Sequence, residues 1–217
     1  MTTSLKLTNI QRAVTALERD LITDAGPRIS TLRNYPFAIL VYSPQEEFEM
    51  RQAVTGLTQE LQQAGWFVHT VNIKALVMER IRAFYGDDGL EDEIAGEEQI
   101  SAYDDPIAGF DSIRDNICEA LEGRDGIAGL IAAEVDQLAA RSDRADRTVV
   151  FVGQLGAMYP FMRLSALLKL LDGRTHGIPV VFLYPGKYAD EKLSFLDEAE
   201  PDSDYRPRIY THDSLVF

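Results

Sequence analysis

The chain has 217 residues, 46% of them hydrophobic, which is enough apolar side chain for a packed core and argues against disorder. Asp and Glu number 35 against 21 Lys and Arg, so the net charge is −14, and phosphate backbones repel so acidic a chain. A single cysteine, Cys118, excludes a disulfide scaffold and a thiolate zinc site. No signal peptide and no apolar run of the ~20 residues that a membrane span needs are recognised, so a cytoplasmic protein without direct nucleic-acid or membrane contact is predicted.

The N-terminal part of the chain predicts a helix followed by a strand. Apolar residues recur at three- and four-residue steps from Leu7 to Leu21, which predicts a helix over about 5–24 that docks across the sheet or against a partner. The continuous apolar run of residues 37–42 indicates a strand that is buried on both faces, as in a parallel sheet.

A second helix and a second strand come next. Ser43 suits the N-cap position and Pro44 the first helical position, and Gly65 ends this helix before a strand over residues 66–71. The inner side of the helix is assigned to four apolar residues, namely Phe48, Val54, Leu57 and Leu61.

The middle of the chain carries most of the excess negative charge. After a helix predicted over residues 73–85, an acidic insertion over about 83–113 holds ten acidic residues and no Lys or Arg. This insertion is either a mobile loop or a short acidic helix that protrudes from the domain. Its charge has three interpretations: a solvated face, a docking surface for a basic partner, or a divalent-cation site, although EF-hand spacing is absent.

Two helices and a buried strand are predicted beyond the insertion. The first helix covers about 107–121, with Ile107 and Phe110 on its apolar side, and the second covers about 127–141. The apolar run at 148–152 is typical of another strand buried in a parallel sheet.

The C-terminal part predicts one more helix and two more strands. The helix begins near residues 158–160 and carries Arg163 in its first turn. A fourth strand covers 178–184, the Pro185-Gly186 pair ends it, and residues 208–210 add an edge strand.

The order of these elements predicts one α/β domain over residues 1–217, with a mainly parallel sheet of four to five strands flanked by helices. The fold is Rossmann-like or degenerate P-loop-like, because no G-x-x-x-x-G-K-[ST] Walker A motif occurs in the chain. Open sheets of this kind bind their ligands at the carboxyl ends of the strands.

The sequence assembles no nucleophile, base and anion hole, so it predicts no catalytic residue, no metal ligand and no cofactor. A G-x-x-G loop that begins at Gly153 lacks the third glycine of G-x-G-x-x-G, and a tight turn is the preferred interpretation over a phosphate cradle. His69, His176 and His212 belong to no catalytic motif and are interpreted as structural. Cys118 is interpreted as a buried small hydrophobe.

Four side chains on the last two predicted loops are candidates for binding. A cation in a first helical turn, such as Arg163, opposes the helix dipole at a cost of roughly 0.3–1 kcal/mol, which either an internal carboxylate or an anionic ligand would offset. Tyr159, Tyr184 and Tyr188 converge on the same loops, either as aromatic packing or as a recognition surface. The candidate interaction residues are Tyr159, Arg163, Lys187 and Tyr188, and adjacent strands would place their two loops side by side.

The same loops carry a family resemblance. The Tyr-Pro-x-x-Arg element within residues 150–163, and the strand ending in Pro-Gly-x-Tyr within residues 179–188, resemble the BrxB family of BREX phage-defence systems. A leucine- and phenylalanine-containing stretch at 193–196 and the Tyr205-Arg206 pair extend the resemblance.

The resemblance implies a non-catalytic component of a phage-defence complex, an adaptor that binds a PglZ-type partner with an alkaline-phosphatase-like domain. It also implies the DNA methyltransferase and the ATPase of such a locus as further candidate partners. Two alternatives remain open. One is a nucleotide- or phosphate-binding sensor or enzyme at the carboxyl ends of the third and fourth strands, where Arg163 and Lys187 meet a phosphate. The other is an acidic mimic of DNA that occupies a partner's nucleic-acid channel.

Overall fold

A computed structural model describes residues 7–24, 26–29, 35–103, 106–141, 144–196 and 206–211. The strands are β1 (Phe37–Tyr42), β2 (Phe67–Asn72), β3 (Thr148–Gly153), β4 (Val180–Ala189), β5 (Lys192–Phe195) and β6 (Arg208–Tyr210). The α-helices are α1 (Asn9–Leu21), α2 (Glu47–Gln63), α3 (Ile73–Tyr103), α4 (Pro106–Leu121), α5 (Ile127–Arg141) and α6 (Leu164–Leu171). Short 3₁₀ turns lie at Pro44–Glu46, Ala145–Arg147 and Leu155–Met158.

Five strands form a parallel sheet in the order β2-β3-β4-β1-β6. The sixth, β5, is antiparallel and pairs only with the end of β4, where Lys187 lies opposite Ser194. The predicted α/β class with a mainly parallel sheet is therefore confirmed, with the hairpin strand β5 in addition to the predicted strands. The boundaries of the domain within 1–217 stay a prediction.

The central strands are buried on both faces because helices cover the sheet from both sides. Along β1, the side chains of Phe37 and Ile39 join one apolar cluster with the start of α3, with α5 and with α6. The alternate side chains, Ala38 and Leu40, join a second cluster with α1 and α2. This alternation gives three layers, which is what continuous apolar strands in a parallel sheet require.

Helix α1 is fixed at both ends. At its start, the Thr8 hydroxyl accepts a hydrogen bond from the Gln11 backbone N–H (3.2 Å), and the Gln11 side chain accepts one from the Thr8 N–H (2.9 Å), which is a capping box. At its end, the buried carboxylate of Asp20 accepts hydrogen bonds from the Tyr210 hydroxyl (2.9 Å) and from the Arg208 guanidinium (2.8 Å). This cluster connects α1 to the edge strand β6.

The prediction that Phe48 lies on the inner side of α2 is wrong, since its side chain is 74% exposed. The buried stripe runs from Met50 through Val54 and Leu57 to Leu61, at steps of four, three and four residues. Phe48 is two positions before Met50 and therefore points to roughly the opposite side of a helix with 3.6 residues per turn.

Two predicted boundaries in the C-terminal part are also wrong. The Pro185-Gly186 pair does not end β4, because the Pro185 carbonyl accepts a hydrogen bond from the Leu196 N–H (3.0 Å) and Gly186 pairs with Phe195. A proline has no backbone N–H but keeps its carbonyl oxygen. It can therefore pair with a strand whose N–H donates a hydrogen bond to that carbonyl. The last helix begins at Leu164 rather than near 158–160, because the 3₁₀ turn Leu155–Met158 and a further turn over residues 159–161 precede it.

The pair of carboxylates between α1 and α2 makes stability depend on pH. Burial and the nearby carboxylate of Glu60 raise the pKa of Glu18 above its ordinary value of 4.5. Folding therefore favours the protonated form, so this contribution to stability is full below the unfolded pKa and is lost as the pH rises through the folded pKa.

We expect Glu18→Gln to raise the melting temperature at neutral pH by about 1–2 °C, because it removes a poorly solvated charge beside a like charge. At a pH below the ordinary glutamate pKa, the variant and the wild type should have the same melting temperature. Thermal unfolding at the two pH values measures both effects, and an equal shift at both would contradict the explanation.

Candidate interaction site

The two loops that carry the candidate residues lie side by side, as predicted. Strands β3 and β4 are parallel neighbours, so their carboxyl ends meet at one edge of the sheet. The Tyr159 ring stacks on Phe195, with centroids 5.7 Å apart and an interplanar angle of 27°. Phe195 in turn meets Tyr184 edge-on at 5.2 Å. The chain after β3 therefore touches the β4-β5 hairpin through aromatic side chains, which is a common form of aromatic packing.

The structure separates the four candidate residues into two places. Tyr159 is 47% exposed beside the hairpin, and Arg163 is exposed at the N-cap position of α6. Arg163 thus precedes the helix rather than lying in its first turn. Lys187 and Tyr188 lie on the projecting end of β4 and line a cleft to which Tyr159 and Arg163 do not contribute.

This cleft has a volume of about 800 Å³ and lies at the carboxyl ends of β1 and β4. Its walls come from the first turn of α1, from the end of β1 with the turn after it, and from the β4-β5 hairpin. Sequence reasoning found the hairpin residues but missed Tyr42, Ser43 and Glu46, because only the strand order β4-β1-β6 brings them beside Lys187.

Both described histidines pair with carboxylates, and their structural role stays an interpretation from the sequence. The Nε2 atom of His69 pairs with Glu134 at 2.6 Å, and that of His176 pairs with Asp136 at 2.6 Å, so both rings attach to α5. His212 lies outside the described residues, as does Tyr205 of the Tyr-Arg element.

Cys118 is half-buried rather than buried, and its thiol donates a hydrogen bond to the Phe161 carbonyl (3.1 Å). Burial, with a smaller effect from nearby carboxylates, raises the pKa of this thiol, which keeps it protonated and poorly nucleophilic. Within the described ranges, no group of three or more His, Cys, Asp and Glu side chains is placed to hold a metal ion. No helix in the same ranges is long and apolar enough to cross a membrane.

The described part of the acidic insertion is helical, which favours the helix over the loop among the two forms that the sequence left open. Helix α3 continues through it to Tyr103, with one break at Gly86, where φ is 70° and ψ is 176°. Only glycine adopts these dihedrals without strain. Helix α4 then returns alongside it, and we call residues 86–103 and 106–116 the acidic arm.

The two helices of the acidic arm are packed closely against each other. A Cβ atom at Gly109 would overlap the Ser101 hydroxyl and lie 3.2 Å from the Glu97 carbonyl oxygen, so glycine is needed at this contact. A second link is the hydrogen bond that the Asn116 amide donates to the Glu93 carboxylate. The arm is therefore a defined helical hairpin.

The acidic arm exposes apolar side chains among its carboxylates. Ile107 is 68% exposed and Phe110 is 46% exposed, so their predicted place on the buried side of α4 is wrong. Neither residue belongs to a core cluster, whereas Leu90 and Ile117, nearer the base of the arm, pack against one.

The described side chains of the arm are strongly negative. The single cation among them, Arg114, bonds to Asp111 (2.7 Å) and Asp115 (3.0 Å). The remaining described acidic residues are Asp88, Glu91, Asp92, Glu93, Glu97 and Glu98.

These features define a three-layer α/β protein with a cleft at the carboxyl edge of its sheet and an acidic helical arm. Residues 70–209 match the family described as BREX protein BrxB. The match covers well over half of the chain, so the chain belongs to this family and is a component of the BREX phage-defence system, which confirms the resemblance. The acidic arm and both loops lie within the matched part, and α1, β1 and α2 precede it. No curated protein and no solved structure matches the chain.

Proposed function

We propose that this chain is a non-catalytic adaptor of a BREX phage-defence complex and that it binds the PglZ-type protein of the same system. The observation that carries the proposal is the acidic arm, which presents apolar side chains on a projecting, negatively charged hairpin. The methyltransferase and the ATPase are further candidate partners. The complex acts in the cytoplasm, where it encounters phage DNA.

The chemistry of the arm fits a protein partner with a basic, partly apolar surface. Large apolar side chains such as Ile107 and Phe110 gain about 25 cal/mol for each Å² that a partner removes from water. The surrounding carboxylates attract a basic surface and reject an acidic one, which gives selectivity and faster association. A purely solvated face explains the charge but not the exposed isoleucine and phenylalanine.

The loop after β3 is proposed as a second contact with the same partner. Tyr159 offers an exposed ring that Phe195 holds in place, and Arg163 offers an exposed guanidinium at the start of α6. A rigid aromatic side chain and an arginine are the residue types most often found at the centres of protein interfaces. Their separation from the cleft leaves Lys187 and Tyr188 for another role.

Support for a non-catalytic role comes from how the reactive side chains are engaged. His69 and His176 are bound to carboxylates of α5, and the Cys118 thiol is held protonated beside a carbonyl. Among the described residues, no hydrogen bond or ion pair joins any two of these three groups as a nucleophile and its base would be joined.

Co-expression with a tagged copy of this chain tests the proposal. We expect the PglZ-type protein to co-purify with it at physiological salt, without the other components of the locus. The affinity should fall as the salt concentration rises, because salt screens the attraction between the arm and a basic surface.

Absence of the PglZ-type protein at every salt concentration would show the partner assignment to be wrong. Addition of duplex DNA separates an adaptor from a DNA mimic. Displacement of this chain by DNA would mean that it occupies a nucleic-acid channel, and an adaptor should stay bound.

A further inference from the structure

The cleft at the carboxyl ends of β1 and β4 has the size and the position of a small-molecule site. Its volume of about 800 Å³ falls within the ~300–1,000 Å³ that is usual for ligand pockets. The strand β1 continues into α2 on one face of the sheet, whereas β3 continues toward α6 on the other. Open α/β sheets bind ligands at the carboxyl ends of their strands, which is where this cleft lies.

The cleft holds one lysine and one carboxylate, and the lysine is the group that an anion could reach. Its cation, Lys187, is exposed and has no ion-pair partner among the described residues. Its carboxylate, Glu46, accepts a hydrogen bond from the Ser43 backbone N–H (3.3 Å). Asn9 and Ile10 of the first turn of α1 also line the cleft, so the positive end of that helix dipole lies beside it.

The other walls of the cleft suit a planar or apolar body. Tyr188, which is 37% exposed, contributes an accessible aromatic ring, whereas Ile10, Val41 and Tyr42 are largely buried and form the floor of the cleft. The Tyr42 hydroxyl is fixed by a hydrogen bond to the Glu47 carboxylate. Burial, together with that carboxylate, raises the pKa of Tyr42, so its side chain stays neutral.

We propose that this cleft binds a small phosphate-bearing molecule of about nucleotide size, with the phosphate at Lys187 and a planar body against the exposed ring of Tyr188. The site is separate from the acidic arm. Its test therefore does not depend on the adaptor function.

Isothermal titration of the full chain with ATP, inorganic triphosphate and adenosine as probes tests the proposal. We expect ATP to bind more tightly than either of its parts. Lys187→Ala should weaken ATP binding by about tenfold or more, the loss expected for one hydrogen bond to a charged group. Lys192→Ala is the matched control, because Lys192 is an exposed lysine of the same hairpin that lies outside the cleft.

A second variant should act in the opposite direction. Glu46→Gln keeps an acceptor for the Ser43 N–H but removes a negative charge from the cleft, so ATP should bind about twofold to fivefold more tightly. Opposite effects of Lys187→Ala and Glu46→Gln would be the signature of an anion held in this cleft.

Three results would overturn the proposal. They are no binding of any probe at millimolar concentration, equal effects of Lys187→Ala and Lys192→Ala, and adenosine or triphosphate binding as tightly as ATP. Thermal melts of each variant verify that the fold is intact, which is expected because Lys187 and Lys192 are both exposed.

Discussion

Replacing Ile107 and Phe110 together by serine is expected to lower the affinity for the PglZ-type partner by about a hundredfold or more. Full burial of each side chain against a partner would contribute about 1.5–3 kcal/mol, and both contributions are lost in the variant. The fold should remain intact, because neither side chain belongs to a core cluster. Co-purification shows the loss qualitatively, and titration of the purified proteins gives its size.

Phe48→Ser is the matched control for this experiment. Phe48 is also an exposed phenylalanine, but it lies on α2, which packs on the opposite face of the sheet from the base of the acidic arm. This variant should bind the partner as the wild type does. Wild-type affinity in the arm variant, or an equal loss in Phe48→Ser, would contradict the assignment of the arm as the docking surface.

Asp20→Ala is expected to lower the free energy of unfolding by about 2–3 kcal/mol. The substitution leaves the buried Tyr210 hydroxyl without its acceptor and removes the carboxylate that holds Arg208. Burial of Tyr210, with the nearby Asp20 carboxylate, raises the pKa of this tyrosine, in keeping with a poorly solvated hydroxyl. Chemical denaturation monitored by circular dichroism measures the change.

Asp24→Ala is the control for the stability experiment, since Asp24 is an exposed aspartate just beyond the same helix. It should change the free energy of unfolding by less than about 0.5 kcal/mol. A similar small change for Asp20→Ala would mean that the cluster between α1 and β6 contributes little to stability.

The strands of the sheet were predictable because each central strand needs apolar side chains on both faces. The run Phe37–Tyr42 has the same limits in the sequence pattern and in the structure, and α5 likewise follows its apolar periodicity. The acidic insertion was not predictable in this way, because a dense run of carboxylates suits a loop as well as a helix. The close contact between α3 and α4 at Gly109 favours the helical form. The local sequence pattern does not show that these two helices meet.

Only the hairpin side of the cleft could be predicted from the sequence, for a similar reason. Lys187 and Tyr188 were identified because they follow a buried strand, where ligands of α/β proteins bind. Tyr42 and Glu46 follow another strand, and nothing local in the sequence states that β1 lies between β4 and β6. The hairpin was mistaken for a strand end because proline and glycine are common turn residues, whereas here β5 pairs with them.

The break at Gly86 changes the direction of the α3 axis at one residue, at the base of the acidic arm. From Gly86 to Tyr103 the helix is about 26 Å long at ~1.5 Å per residue. A change of about 10° in its direction at Gly86 therefore corresponds to about 4–5 Å at the end near Tyr103. That distance is comparable to one helical turn. Helix α4 runs unbroken from Pro106 to the buried Leu121, so the dihedrals of Gly86 and the base of α4 together fix the direction of the arm relative to the sheet.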